Sequence, residues 1–334
     1  MTVLFVSRKN KSEVGGLSRF AYELSSRTTH FYLLSPERWV TIFQLPFKKI
    51  DIIHLCDATL LPLGILLKKI LNKPLTVTAH GLDLTYKNNF YQLMLKMLLP
   101  RVEKVIVDSK NTIPIVHSLG VSDRRIKIVN PGVSIEHFKY TQFVDLPHKK
   151  GKIFLLTVGN LVPRKGHVWF IMNVLSKLDS NYIYLIVGDG SERKSIKELV
   201  KKLSLEKKVI LLGQLTDGQL SYVYKYSDIY VCPNIHIDGD FEGFGIAAGE
   251  AAAMGLPVVA SNIDGIGEVI INNKNGMLVR PTAEEFISRI KQLGNKRLRK
   301  EMGQRARKYT LENYSWEQTV KKYTKFFAEV RHKN

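Results

Sequence analysis

Cysteine is almost missing from this chain: 334 residues hold two, Cys56 and Cys232, far apart and in no CxxC pair. That scarcity excludes a disulfide framework and a Cys-based zinc site, and it points to a reducing, cytoplasmic compartment. The nine histidines contain no HExxH spacing. No apolar run reaches about 18 uninterrupted residues, so no membrane-spanning helix is expected. The first apolar run, "TVLFVS" (2–7), follows no charged leader, so no signal peptide is expected either. Low-complexity tracts and short repeats are absent. Acidic residues are also scarce: thirty stand against fifty Lys+Arg, a net charge of +20. Residues 1–145 carry 20 basic and 11 acidic residues and the remainder 30 and 19, so the excess is spread rather than gathered in a tail. A surface of this kind suits an anionic partner, whether a phosphorylated small molecule, a lipid surface or nucleic acid.

What the chain does have is a regular succession of short apolar runs. Six lie in the first half: 2–7, 31–35, 51–55, 75–79, 104–109 and 126–129. Six more follow at 153–159, 182–188, 209–213, 229–233, 257–261 and 276–279. Continuous runs of this length predict strands buried on both faces, and the longer helical patterns between them predict βαβ units. The length exceeds one ordinary core. The reading is therefore an α/β chain of two Rossmann-like, doubly wound parallel-sheet domains, facing each other across a cleft. The first spans 1–138, the second 153–312, and a polar stretch without clear period (139–152) serves as linker. In the last segment, 313–334, Trp316, Val320, Tyr323 and Phe327 form one helical face.

Ligands of open parallel sheets bind beyond the carboxyl ends of the strands, so the loops there matter most. Gly15-Gly16 precedes a helix after the first strand, where backbone N–H groups could approach a phosphate or simply make a tight turn. His80 ends the fourth strand, placed to meet a ligand hydroxyl or to satisfy a turn. After the seventh strand, Arg164-Lys165-Gly166 opens a helix. Two cations oppose the helix dipole there unless they hold a diphosphate. Gly188 and Gly190 in "VGDG" permit close backbone approach. Asp238-Gly239-Asp240 resembles a DxD metal site but reads better as a turn, so no metal is assigned. In "EGFGIAAGEAAAMG", Gly243 and Gly245 permit a turn into a helix whose small residues leave its start thin. Glu242 in the loop and Glu250 in the helix would then address different parts of one elongated ligand. Carboxylates accept paired hydrogen bonds from vicinal hydroxyls, and the helix start favours an anion, which together describe a nucleotide sugar.

These motifs resemble the large family of retaining glycosyltransferases with the GT-B fold, the group that includes phosphatidylinositol mannosyltransferase-type members. The resemblance covers nearly the whole chain and rests on Gly15-Gly16, "HG" (80–81), "NPGVS..HF" (130–138), "PRKG" (163–166), "VGDG" (187–190), "EGFGIAAGE" (242–250) and "NGMLVRP" (275–281). It implies a hexosyltransferase with a nucleoside-diphosphate sugar as donor substrate, GDP-mannose slightly ahead of a UDP-hexose, and no metal or other cofactor. It implies that His80 contacts the transferred hexose and that Lys165, with Arg164, stabilises the leaving diphosphate. Gly16 would bind the diphosphate. Glu242 and the backbone of Phe244, Gly245 and Ile246 would hold sugar hydroxyls and phosphate, Glu250 the ribose, and the backbone around Leu215 the base. The tail helix would cross back onto the first domain. One position departs from the family: Asn160 stands where an arginine usually follows the strand glycine, and an amide does not supply a guanidinium's charge.

The acceptor is expected to be a glycan or a lipid-linked molecule on the first domain. Segments 59–73 and 86–101 combine apolar faces with lysines. They either cover the sheet as ordinary helices, the commoner case, or touch an anionic membrane as a peripheral contact at the inner face. Two other functions compete: a nucleotide-sugar epimerase or hydrolase of the same fold, and a nucleic-acid-binding α/β protein prompted by the charge. Against the last, no RNA-binding aromatic signature or zinc module is present, and nucleic acid is not an expected partner.

Overall fold

A computed structural model describes residues 1–8, 16–28, 30–34 and 49–331 of the chain. They form two compact units, one of residues 1–132 and 315–334, the other of residues 133–314. Among the described residues no helix is long and apolar enough to cross a membrane.

The first unit holds six parallel strands: β1 (Val3–Val6), β2 (Phe31–Leu34), β3 (Ile52–Leu55), β4 (Leu75–Ala79), β5 (Lys104–Val107) and β6 (Ile126–Ile128), in the order β2-β1-β3-β4-β5-β6. The second holds β7 (Ile153–Val158), β8 (Tyr182–Val187), β9 (Val209–Gly213), β10 (Ile229–Cys232), β11 (Val258–Ser261) and β12 (Met277–Val279), in the order β12-β11-β10-β7-β8-β9. All pairings are parallel. Each of the twelve apolar runs is a strand. The reason is burial: β1, β3, β4, β8, β10 and β11 are covered along their whole length on both faces, so none needs a polar, solvent-facing side, and the polar residues they hold, such as His54, Thr76 and Thr78, are buried too.

In the first unit, helices Leu61–Leu71 and Asn89–Leu98 cover one face with Leu61, Leu67 and Leu95. Helix Gly16–Arg27 and the tail helix Trp316–Arg331 cover the other through Phe20, Leu24, Tyr323 and Phe327. The tail docks because Gly132 has no side chain: a Cβ there would lie 2.5 Å from the Trp316 ring. Thr319 Oγ1 donates to the Asn130 carbonyl at 3.1 Å beside it. A polar chain crosses the same core. His54 Nδ1–H donates to Thr76 Oγ1 (2.8 Å), which donates to the Ile53 carbonyl, while Nε2 meets Thr78 Oγ1 (3.0 Å), itself 2.8 Å from the Tyr323 hydroxyl. Burial lowers the His54 pKa to about 3, so the ring is neutral and its two nitrogens suit one donor and one acceptor.

Two stretches sit differently from the sequence reading. Residues 133–138 pack with the second unit, where Phe138 meets the Tyr224 ring edge-on at 5.3 Å. The polar stretch 139–152 has no regular helix or strand, yet it is tied to helix Asp217–Tyr226: Gln142 N–H donates to the Gly218 carbonyl, Lys225 Nζ to Thr141 Oγ1 and the Tyr226 hydroxyl to the Pro147 carbonyl. These ties are polar and local, so they leave no apolar period to read.

Candidate active site

In the second sheet the strand order reverses between β7 and β10, and ligands of such sheets settle at that crevice. The loops after these two strands bring a charged cluster together there. Lys165 and Arg164 come from the 3-10 turn Pro163–Lys165 that follows β7; Asn234, Asp240 and Glu242 come from the loop after β10. Lys165 Nζ lies 2.6 Å from Glu242 Oε2, Arg164 Nη1 3.0 Å and Asn234 Nδ2 3.2 Å from the same oxygen. Arg164 Nε binds Asp240 Oδ1 at 2.8 Å. Burial alone would raise the Glu242 carboxyl, but Lys165 and then Arg164 outweigh it and hold it at about 2. Glu242 is therefore an anion at every physiological pH. The three recorded contacts to its carboxylate share Oε2.

Backbone geometry fixes the loops. Gly166 has φ +68°, and a Cβ on it would lie 2.0 Å from the Pro233 carbonyl oxygen, so the two loops meet through glycine. The Lys165 stem crosses the end of β7, its Nζ 3.6 Å from where a Gly159 Cβ would be. Asp238–Gly239–Asp240 is a turn closed by Asp240 N–H to the Ile237 carbonyl, with Gly239 at φ +77°.

Several residues singled out from the sequence meet protein instead of open space. Arg164 is 7 % exposed and its guanidinium turns onto Asp240 and Glu242, which makes it a brace for the loop. Gly188 and Gly190 are demanded by the neighbouring loop: their Cβ atoms would lie 1.9 Å from the Gly159 carbonyl oxygen and 2.5 Å from that of Leu161. The small-residue helix Ile246–Ala253 is thin for packing. A Cβ on Gly249 would lie 2.8 Å from Val133 and 2.9 Å from Val269, and Ala248, Ala251 and Ala252 are core. Its start remains distinctive: Gly245 is left-handed (φ +80°) and Ile246 opens the first turn, where N–H groups lack intrahelical partners. Phe244 is buried beside Tyr314. Glu250, also buried, accepts from the Tyr224 hydroxyl at 3.3 Å. Leu215 is half-buried against the core after the left-handed Gly213, and Asn160 is exposed.

In the first unit, Gly16 begins helix Gly16–Arg27, while Gly15 lies outside the described residues. His80 caps the end of β4. Its Nδ1 is 2.5 Å from Asp108 Oδ2 and its Nε2 3.0 Å from the Cys56 carbonyl oxygen. Both partners are acceptors, so both nitrogens donate and the ring is an imidazolium. Burial alone would lower the pKa, but the Asp108 carboxylate lifts it to about 9. Asp83, three residues on, accepts the Ala58 N–H on Oδ2 at 2.8 Å, and burial raises its carboxyl to about 7. Sequence reasoning missed Asp108, Asn234, Tyr224 and the bracing role of Asp240. Asp108 carried a signal, a lone carboxylate directly after the run "KVIV".

Two Rossmann-like units, each with polar and charged loops beyond its strands, define an α/β fold of GT-B type. The comparisons with known proteins agree. Anabaena HepE in complex with UDP superposes with a TM-score of 0.79 at 17 % identity, over 98 % of this chain and all of that one. Sucrose-phosphate synthase of Thermosynechococcus elongatus does so at 0.80 and 18 %, over all of both chains. The family model for glycosyl transferases group 1 matches residues 138–309, and that for glycosyltransferase family 4 matches residues 8–137. The chain belongs to the glycosyl transferases group 1 family. It is 29 % identical over 276 residues to an uncharacterized glycosyltransferase of Methanocaldococcus jannaschii, covering 77 % of this chain and 69 % of that protein. It is 27 % identical over 261 residues to a UDP-Gal:alpha-D-GlcNAc-diphosphoundecaprenol alpha-1,3-galactosyltransferase of Escherichia coli, covering 72 % and 65 %. The protein is a glycosyltransferase that uses a nucleotide sugar.

Proposed function

We propose that this enzyme is a retaining, metal-independent hexosyltransferase, and that its donor is a nucleoside-diphosphate hexose. The observation that carries the reading is the convergence of Lys165, Arg164 and Asn234 on Glu242 at the switch point of the second sheet. A UDP-hexose comes first, because HepE forms complexes with UDP and with UDP-glucose and the E. coli relative is a UDP-Gal-dependent galactosyltransferase by name. GDP-mannose, which the resemblance to mannosyltransferase-type members favours, is the second donor to try.

In this reading Glu242 offers its other oxygen to a hexose hydroxyl and Glu250 accepts from the ribose, while the start of helix Ile246–Ala253 faces the diphosphate. Lys165 supplies positive charge where the leaving phosphate oxygen gains negative charge. The acceptor hydroxyl attacks the anomeric carbon on the face the diphosphate leaves. Its proton passes to the departing phosphate oxygen, so the C–O bond to the acceptor forms as the C–O bond to phosphate breaks. In this reading the Lys165 ammonium and the helix start neutralise the departing phosphate, so no divalent ion is required. The imidazolium of His80 has both N–H groups committed, one to Asp108 and one to the Cys56 carbonyl, and carries no lone pair, so it has no role as base. The acceptor is a glycan or a lipid-linked sugar.

Thermal shift with UDP, GDP and ADP, followed by turnover with the matching sugars in EDTA, tests the reading. Stabilisation by one nucleoside diphosphate at high salt is expected, with product of the donor's own anomeric configuration. Inverted product, loss of activity in EDTA, or stabilisation only by an oligonucleotide in a salt-sensitive way would overturn it. Release of free sugar or of an epimer without an acceptor would favour the hydrolase or epimerase.

A further inference from the structure

Helices Leu61–Leu71 and Asn89–Leu98 lie side by side on one face of the first sheet. A helix that merely covers a sheet turns its apolar stripe inward and a polar face outward. These two turn apolar side chains both inward and outward. Leu61, Gly64 and Leu67 face the core, as do Leu95 and, in part, Tyr91 and Met94. The opposite faces carry a second apolar stripe: Leu66 and Ile70 at i, i+4, and Phe90, Leu93 and Met97 at i, i+3, i+7, with Phe90 80 % and Ile70 58 % exposed. Tyr86, also exposed, precedes the second helix. Helix Arg193–Lys202 of the other unit shows the ordinary pattern, exposing Lys194, Lys197, Glu198 and Lys201.

The charge on this face is one-signed. From Ala58 to Val102 the only acidic residue is Asp83, and it is buried. Against it stand Lys68, Lys69, Lys73, Lys87, Lys96 and Arg101. Lys68 is paired with Glu103 at 2.6 Å, while Lys69, Lys73, Lys87 and Lys96 are exposed among the apolar tips. Large apolar side chains between lysines, with the one nearby carboxylate, Glu103, already held by Lys68, match the boundary of an anionic bilayer. The apolar tips enter the acyl region and the lysine stems carry their charge to the headgroups. A second copy of the chain would bring the same cations against one another.

We infer that the outward faces of these two helices form a docking surface for an anionic lipid bilayer. The inference stands apart from the donor chemistry and is read without it. The test is co-sedimentation with phosphatidylcholine vesicles, with and without phosphatidylglycerol. The wild type is compared with a Phe90→Ser/Leu93→Ser variant and with a variant carrying Lys69, Lys73, Lys87 and Lys96→Gln. The wild type should pellet only with phosphatidylglycerol present. The lysine variant should lose roughly fivefold per cation, about several-hundredfold in all. The serine variant should lose the part of the binding that survives high salt. All substituted side chains are exposed, so both variants should keep the wild-type melting temperature and its shift with UDP or GDP. That shift reports the donor site alone, so its absence would fault the proposed donor and leave the vesicle result standing. Failure of the wild type to pellet with anionic vesicles, equal binding by all three proteins, or a wild-type dimer broken by the serine pair would overturn the inference.

Discussion

At the scale of single residues, Glu242 is the pivot, because three donors share one of its oxygens. Removing its charge leaves Arg164 and Lys165, both largely buried, without their carboxylate. Glu242→Gln should therefore cost about 3 kcal/mol of stability as well as activity, measurable as a lowered urea midpoint. Lys165 is the cation with freedom to change partner, since Arg164 is held from two sides. Lys165→Ala should lower kcat by about a hundredfold or more and change the donor KM little, because its charge matters most when the leaving group gains charge. Glu250 tells the opposite story. Its carboxylate is positioned by the Tyr224 hydroxyl and would bind the donor equally in ground and transition states. Glu250→Ala should raise the donor KM about tenfold with kcat nearly unchanged, and Tyr224→Phe should do the same in smaller measure. Normal steady-state kinetics in both Lys165→Ala and Glu250→Ala would remove the site assignment.

At the scale of elements, the loops after β7 and β8 lean on each other through glycine. Gly188 has φ +130°, and its missing Cβ would strike the Gly159 carbonyl. Gly188→Ala should destabilise the second unit by about 3 kcal/mol or more, combining backbone strain with displacement of the loop that carries Lys165. A melting temperature equal to wild type would show that the loop yields freely. The strands themselves were legible in the sequence, since parallel strands buried on both faces are written as unbroken apolar runs. The glutamates of "EGFGIAAGE" were legible as two separate carboxylates, and the structure does give them different neighbours, Lys165 and Arg164 for one, Tyr224 for the other. What escaped was the work of the small residues. Gly249 and the alanines around it look like room for a ligand, but Val133 and Val269 fill that room. Arg164 looked like a phosphate ligand because its partner Asp240 lies 76 positions away, and no period or spacing reports an ion pair across that distance.

At the scale of the whole molecule, each unit runs a polar chain through its core that includes a neutral histidine, mid-chain at His54 in the first and terminal at His167 in the second. In the second unit His167 Nδ1–H donates to the Tyr184 hydroxyl at 3.1 Å, which donates to Thr157 Oγ1 at 2.8 Å, which donates to the Val231 carbonyl at 2.6 Å. The direction is fixed from the carbonyl backwards, so Nδ1 must carry the proton and Nε2 keeps its lone pair. Nε2 is buried and has no hydrogen-bond partner among the described residues. Protonating it would place a charge in the core, and burial, helped by Lys165, lowers the His167 pKa to about 3. The folded value lies below the ordinary one of 6.5, so between these pH values the unfolded chain binds the proton and the folded chain does not. The contribution of His167 to stability is thus complete above pH 6.5 and is lost as the pH falls. At pH 5 the loss should be about 2 kcal/mol. Comparing wild type with His167→Gln isolates this group from the carboxylates that titrate in the same range. The variant should be the less stable at pH 8, where it has lost the bond to Tyr184, and the difference should shrink by that same about 2 kcal/mol at pH 5. Urea unfolding at the two pH values measures it, and a difference that does not change with pH would mean that His167 takes up its proton inside the folded core.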